Sequence, residues 1–302
     1  MVSEVLTLEP FPHSTFVKKG EDLVSQGKEA VEWLRSLGVS TPADRYHGYV
    51  RTIELFGNLK GDSSAVIQGF DAFVNANAEL FELNRVRMAL LQVDSQSYLD
   101  TLKRIAQGQP YRHIAENDPG RDYLFEMSIA ARLLNAGHEV DLNQIADIVA
   151  QVNGRKIYIE AKRIKSSSKV ASRVSEANKQ LRKRLAQDHS STSRGFVAVN
   201  ITDVISPDCS AVILHDQAKL REQHSRVFNG FITENPELFH KGEQPKCLGA
   251  FIESSWQGMI SEGDGDPKLF FCRGATFKLY RITPAEKDYV RGFMPKLANQ
   301  FG

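Results

Sequence analysis

Residues 147–162 read DIVAQVNGRKIYIEAK, and this stretch decides the fold. Asn153-Gly154 stands between two runs of alternating side chains. A two-residue turn needs positive φ at both central positions, which asparagine and glycine tolerate, and its twist suits the flanking strands. The turn therefore predicts a hairpin in which Val152 faces Arg155 and each step outward pairs the next two residues. In that register Asp147 stands opposite Glu160, and directly opposed residues point to the same face of a sheet.

The two faces of the hairpin differ in character. Ala146, Ile148, Ala150, Val152, Ile157, Ile159 and Ala161 share one face, and all are apolar, so this face belongs to a core. Asp147, Val149, Gln151, Lys156, Tyr158, Glu160 and Lys162 share the other. Two carboxylates thus lie side by side, with a lysine two residues along. Opposed like charges destabilise a hairpin, and aspartate is a poor strand residue. A divalent cation such as magnesium offsets the repulsion, because hard cations prefer carboxylate oxygens. The alternative is a salt-bridge cluster on a solvated sheet face. Tyr158 reads as a strand aromatic packed on its neighbours rather than as a site residue.

Working outward, RDYLFEMSIAARLLNAG (121–137) predicts a helix running into Gly137 as its cap. Glu126 lies on the side of that helix that carries Ile129, Ala130 and Leu133, where a glutamate is paired or ligating rather than free in water. Arg121, Arg132 or a lysine elsewhere would serve as a purely structural partner. Three extended segments follow, HEVDL, DIVAQV and RKIYIEAKRI. A helix over about 169–187 carries the stripe Val170, Val174, Ala177, Leu181 and Leu185, and GFVAVNI reads as a buried strand. The order is helix, three strands, helix, strand. A rival acid-x-lysine, Asp266-Pro267-Lys268, sits in the loop-forming EGDGDPK, and Glu160-Ala161-Lys162 is the only Glu-x-Lys in the chain.

The flanks extend this core. Residues 1–118 read as a mainly helical accessory region, with helices at KEAVEWLRSLG, SAVIQGFDAFVNANAELFELNRVRMALL and YLDTLKRIA. Residues 119–205 form the core. Residues 206–302 read as an α+β extension, with a polar helix through DQAKLREQHSRVFNGF, strands at CLGAFIESS and KLFFCRGATFKLYRI that would extend the sheet at an edge, and a last helix at AEKDYVRGFMPKLAN.

The 302 residues are 41% hydrophobic and 25% charged, an ordinary globular composition with net charge +1. The charge is unevenly placed: residues 155–184 hold eleven Lys or Arg against two Glu. Arg163, Lys165 and Lys169 follow the acid pair directly, with Ser166, Ser167 and Ser168 as a flexible link. Arg173, Gln180 and Arg184 form a row along the next helix at offsets of seven and eleven. Such a row suits a phosphate backbone, and a solvated helix face is the alternative. No apolar run is long enough to span a bilayer, and the N-terminus lacks the pattern of a secretory signal. Cys209, Cys247 and Cys272 are scattered and form no CxxC pair, so a reducing cytoplasm is expected. The eight histidines, His113 and His138 among them, form no HxxxH pair, and no Walker-type phosphate loop is present.

These residues in this order resemble the PD-(D/E)XK nuclease superfamily, whose restriction-endonuclease-like core is an α/β fold with a mixed sheet flanked by helices. The resemblance covers residues 119–202. Asp147 matches the acid at the start of the second core strand, and Glu160 and Lys162 match the acid-x-lysine of the third. Glu126 is placed like the added ligand of the first helix and Gln180 like the glutamine of the second, whereas Ala146 stands where the family name has proline. The resemblance implies phosphodiester hydrolysis with Mg²⁺ or Mn²⁺, and DNA is the expected nucleic acid ahead of RNA. It implies a catalytic set of Asp147, Glu160, Lys162 and Glu126, and a metal held by Asp147, Glu160, Glu126 and the carbonyl of Ala161. Lys162 would orient water or stabilise charge on the phosphate oxygens. No subfamily matches the flanks, so the substrate is not inherited. A non-catalytic nucleic-acid- or protein-binding module on the same fold, and an RNA nuclease, stand as alternatives. A homodimer would suit double-strand cutting.

Overall fold

The hairpin forms in the predicted register. In the computed structural model Asn153 and Gly154 both take positive φ, 45° and 78°. Strand β4 (Ile148–Val152) pairs with β5 (Arg155–Arg163) from Val152↔Arg155 to Ile148↔Ile159. The structure describes residues 8–10, 15–16, 20–40, 43–59, 63–91, 95–110, 118–142, 147–207, 211–261, 268–298 and 300. Ala146, His113, Cys209 and the Asp266-Pro267 pair lie outside them.

Around the hairpin the predicted order appears. Helix α5 (Pro119–Asn135) starts on an Asp118 cap and leads to β3 (Glu139–Asp141) through Gly137, whose φ is 82°. After β5 come α6 (Val170–Gln187), β6 (Arg194–Asn200) and the short α7 (Thr202–Ile205). Strands β3, β4 and β5 are antiparallel, and β6 returns parallel to β5, as a helical crossover requires.

The extension continues this sheet from its β6 edge, as expected. Strand β8 (Cys247–Ile260) lies parallel against β6, and β9 (Lys268–Leu279) forms a long antiparallel hairpin with it. Between Gly195↔Cys247 and Val197↔Ala250 β8 carries one extra residue. Gly249 makes that bulge possible: its φ is 158°, and a Cβ there would fall 2.2 Å from the Lys278 carbonyl oxygen. The N-terminal region is mainly helical, as expected, and also reaches the sheet. Besides α1 (Gly20–Ser36), α2 (Arg45–Gly57), α3 (Ser63–Leu90) and α4 (Gln96–Ala106), it supplies β1 (Leu8–Pro10) and β2 (Thr15–Phe16), both paired to β9. These strands are too short to show a period in the sequence. Helix α2, started by Asp44 through its side chain, was not anticipated either. With β7 (Val212–Leu214) on β8, the described residues form a nine-stranded mixed sheet whose main path is β1-β9-β8-β6-β5-β4-β3.

Both faces of the sheet are covered. The apolar face of the hairpin packs Ile148, Ala150, Val152, Ile157 and Ile159 against Phe125, Ile129 and Leu133 of α5 and against Phe293 and Leu297 of α9 (Pro284–Ala298). The other face packs Val149, Tyr158 and Val197 against Val174, Leu181 and Leu185 of α6 and against Phe228 of α8 (Gln217–Glu234). Helices α1–α4 build a third core on the far side of α5, closed by Leu124 and Met127. Helix α5 therefore has cores on both sides. Among the described residues, no helix is long and apolar enough to cross a membrane.

Candidate metal and nucleic-acid site

Strand β4 begins at Ile148, so Asp147 sits one residue before the ladder with its carboxylate unencumbered by a strand partner. Its Oδ2 accepts a hydrogen bond from the Ala161 backbone N–H at 3.0 Å, which folds the aspartate over the end of the hairpin towards Glu160. N–H and C=O of one strand residue turn to the same side, so the Ala161 carbonyl faces the edge that Asp147 occupies. Lys162 Nζ lies 3.8 Å from Asp147 Oδ2 and 3.8 Å from Glu160 Oε2. The two acids and the lysine that the turn chemistry brings together in sequence are together in space.

The solvated sheet face of the alternative reading does not exist here. Helix α6 covers it, and Glu160 is fully buried, at 0% exposure. Neither Glu160 oxygen accepts a well-directed hydrogen bond. Arg184, placed among the nucleic-acid contacts from sequence, instead turns inward. Its Nε contacts Glu160 Oε1, and its Nη2 lies 3.8 Å from Asp147 Oδ1. Burial first, and the Asp147 charge second, hold the Glu160 carboxyl well above the usual carboxylate range, against the opposing pull of Arg184 and Lys162.

Glu126 faces the same cluster from α5. It forms no hydrogen bond or ion pair with the described residues, and burial pushes its carboxyl up to about 8, with Asp147 adding to the effect and Lys162 opposing it. Its expected structural partners are engaged elsewhere: Arg121 binds Glu79 at 2.6 Å and Arg132 binds Glu253 at 3.0 Å. One turn earlier, the half-exposed Asp122 is also raised, by partial desolvation, despite Arg163, Lys165 and Arg173 nearby. Asp122 was not singled out from sequence, although its four-residue spacing from Glu126 puts the two on one face.

The basic residues separate into two groups. Arg163 is largely buried, with Asp203 at 2.8 Å and Asp122 at 3.8 Å, so its charge is already compensated. Lys165 is half-buried, and burial lowers its pKa. Lys169 and Arg173 are exposed, Arg173 alongside Glu176 at 2.9 Å. Gln180 shares the Arg184 face of α6 one turn earlier, and its Oε1 is buried without a hydrogen-bond donor. Tyr158 donates to Asp188 Oδ2 at 2.8 Å and packs in the core, away from the acids. A further polar cluster, His224 between Ser254 and Cys272, is sealed and lies apart from these residues.

The donor chemistry suits a hard divalent cation: two abutting carboxylates, buried oxygens without hydrogen-bond donors, and a third acid within electrostatic reach. The ligand set is not drawn together, however. Among the described residues no group of three or more His, Cys, Asp or Glu side chains is arranged to hold a metal ion, and the Arg184 guanidinium lies against the acid pair. Comparison with known proteins gives no match to any family model, curated protein or solved structure.

Proposed function

We propose that this chain is a magnesium-dependent nuclease with a PD-(D/E)XK-type site, hydrolysing phosphodiester bonds in nucleic acid. One observation carries the reading: Asp147 and Glu160 meet at the end of a hairpin with Lys162 3.8 Å from each. In this reading Asp147 and Glu160 hold the ion, with Glu126 and the Ala161 carbonyl as further ligands. The bound ion supplies Lewis acidity and lowers the pKa of a water. Lys162, already between the acids, is placed to stabilise charge on a phosphate oxygen. Lys165, Lys169 and Arg173 line the approach from the turn after β5 and the start of α6, and give the positive field that a polyanion needs.

A second reading has its own support. Arg184 and Lys162 already neutralise the acid pair, which is what a non-catalytic binding module on this fold would need. A cleavage assay separates the two. Single-stranded DNA, duplex DNA and RNA are each offered with Mg²⁺ or Mn²⁺ to the wild type, Glu160→Ala and Lys162→Ala. The nuclease reading expects cleavage of at least one substrate by the wild type, and a loss of at least ~100-fold in each variant. Binding without cleavage of any substrate supports the module instead.

A further inference from the structure

Arg184 occupies the position of a cation beside the two acids, and it does so in a geometry suited to leaving. Its contact to Glu160 is side-on through Nε, not the bidentate fork that makes arginine–carboxylate pairs strong, and neither Glu160 oxygen counts it as a directed hydrogen bond. Its side chain is 19% exposed while that of Glu160 is sealed, so the arginine alone of the two has a route to solvent. One helical turn away on the same face, Gln180 Oε1 is a buried acceptor without a donor. Lys162 lies equally far from both acids and needs no movement to remain beside an ion held by them.

We infer that Arg184 is a displaceable counter-ion: it lies against Asp147 and Glu160 in the metal-free protein, and a divalent cation moves it along α6 towards Gln180, releasing its charge for a substrate phosphate. This rests on the reading of the acid pair as a metal site. The electrostatic reason is simple. With both carboxylates ionised, Arg184 and Lys162 balance them, so a doubly charged ion leaves excess positive charge in a buried setting; Arg184, with the unfilled Gln180 acceptor one turn away on its own helix, is the cation with another place to go. Arg184 thus sets metal affinity by competition, and couples metal binding to the charge facing the nucleic acid.

The test is Mn²⁺ binding followed by electron paramagnetic resonance, without nucleic acid, on the wild type, Arg184→Gln and Arg184→Lys. Arg184→Gln is expected to bind Mn²⁺ about tenfold tighter, equivalent to ~1.4 kcal/mol, and Arg184→Lys to stay within about threefold of the wild type. Equal or weaker binding by Arg184→Gln overturns the inference. A second measurement needs no charge-removing variant. The Arg184 side-chain ¹⁵Nε–H resonance, assigned by its loss in Arg184→Lys, should shift and exchange faster with water as Mg²⁺ saturates the wild type. An unchanged resonance at saturation overturns the inference. Tighter Mn²⁺ binding with no cleavage of any nucleic acid leaves the counter-ion role standing and removes the nuclease reading. Absence of Mn²⁺ binding in every protein removes both.

Discussion

At the scale of single residues, the site stores unfavourable charge. Glu160 has no exposed surface and Glu126 is largely enclosed, and in both the neutral form is favoured by burial and by the Asp147 carboxylate. The folded protein therefore holds protons that the unfolded chain releases at an ordinary carboxylate pKa of about 4.3. Stability from these two groups is intact below that value and is lost as pH rises towards about 8, the Glu126 value. Asp188 works in the opposite sense, held at about 2 by the Ser190 backbone N–H and the Tyr158 hydroxyl, and loses its contribution only as pH falls far below this window. The metal-free protein should melt at a lower temperature at pH 8.5 than at pH 5.5. Glu126→Gln should flatten that slope, since the amide keeps the shape of the neutral acid. A melting series across pH in the presence of a chelator checks both, and an equal slope in the variant would remove Glu126 from the account.

At the scale of elements, the β4–β5 hairpin fixes the acid pair through its turn. A slip by one residue would send Glu160 to the face of Phe125 and Ile129, and Ile159 to the face of α6. Gly154 is exposed and a Cβ there meets nothing within 4 Å, so its φ of 78° is its main constraint. Gly154→Val should cost about 1–2 kcal/mol from the left-handed backbone conformation, with the same fold retained, measured by urea unfolding. The turn was legible in sequence because its chemistry is local. The inward swing of Arg184 was not, because a basic residue beside an apolar helical stripe looks the same whether the helix edge meets water or the end of a sheet. Asp122 escaped notice for a similar reason: its neighbours Arg163 and Arg173 come from the two other elements that converge on α5.

At the scale of the whole molecule, α5 ties the parts together with buried charge. Arg132 on α5 binds Glu253 of β8 at 3.0 Å, and Arg273 of β9 binds the same carboxylate. Burial raises the Glu253 carboxyl and lowers the Arg132 guanidinium, so both groups are held charged only by one another and their neighbours. Removing one partner from such a network costs more than the pair contributes. Glu253→Leu leaves Arg132 without its ion-pair partner and Arg273 with only Glu82 at 3.8 Å, and should destabilise the protein by about 3–5 kcal/mol in urea unfolding. On the N-terminal side, Arg121 of α5 binds Glu79 of α3 at 2.6 Å, and Arg85 of α3 donates to Ser128 of α5 at 3.0 Å. The N-terminal helices are therefore bonded to the core helix by buried polar contacts.

The sequence alone determined the helix–strand order of residues 119–202, the hairpin register and the meeting of Asp147, Glu160 and Lys162. Each of these rests on interactions between near neighbours: a turn that only certain residues allow, a period of two in strands and a spacing of three and four in helices. Only the tertiary structure decided that α6 seals Glu160, that Arg184 neutralises the acids while Arg163 pairs with Asp203, and that β8, β9 and the two N-terminal strands complete the sheet. Those outcomes depend on which surfaces of distant segments are pressed together. A charge pattern along one helix carries no record of the partner that will lie against it.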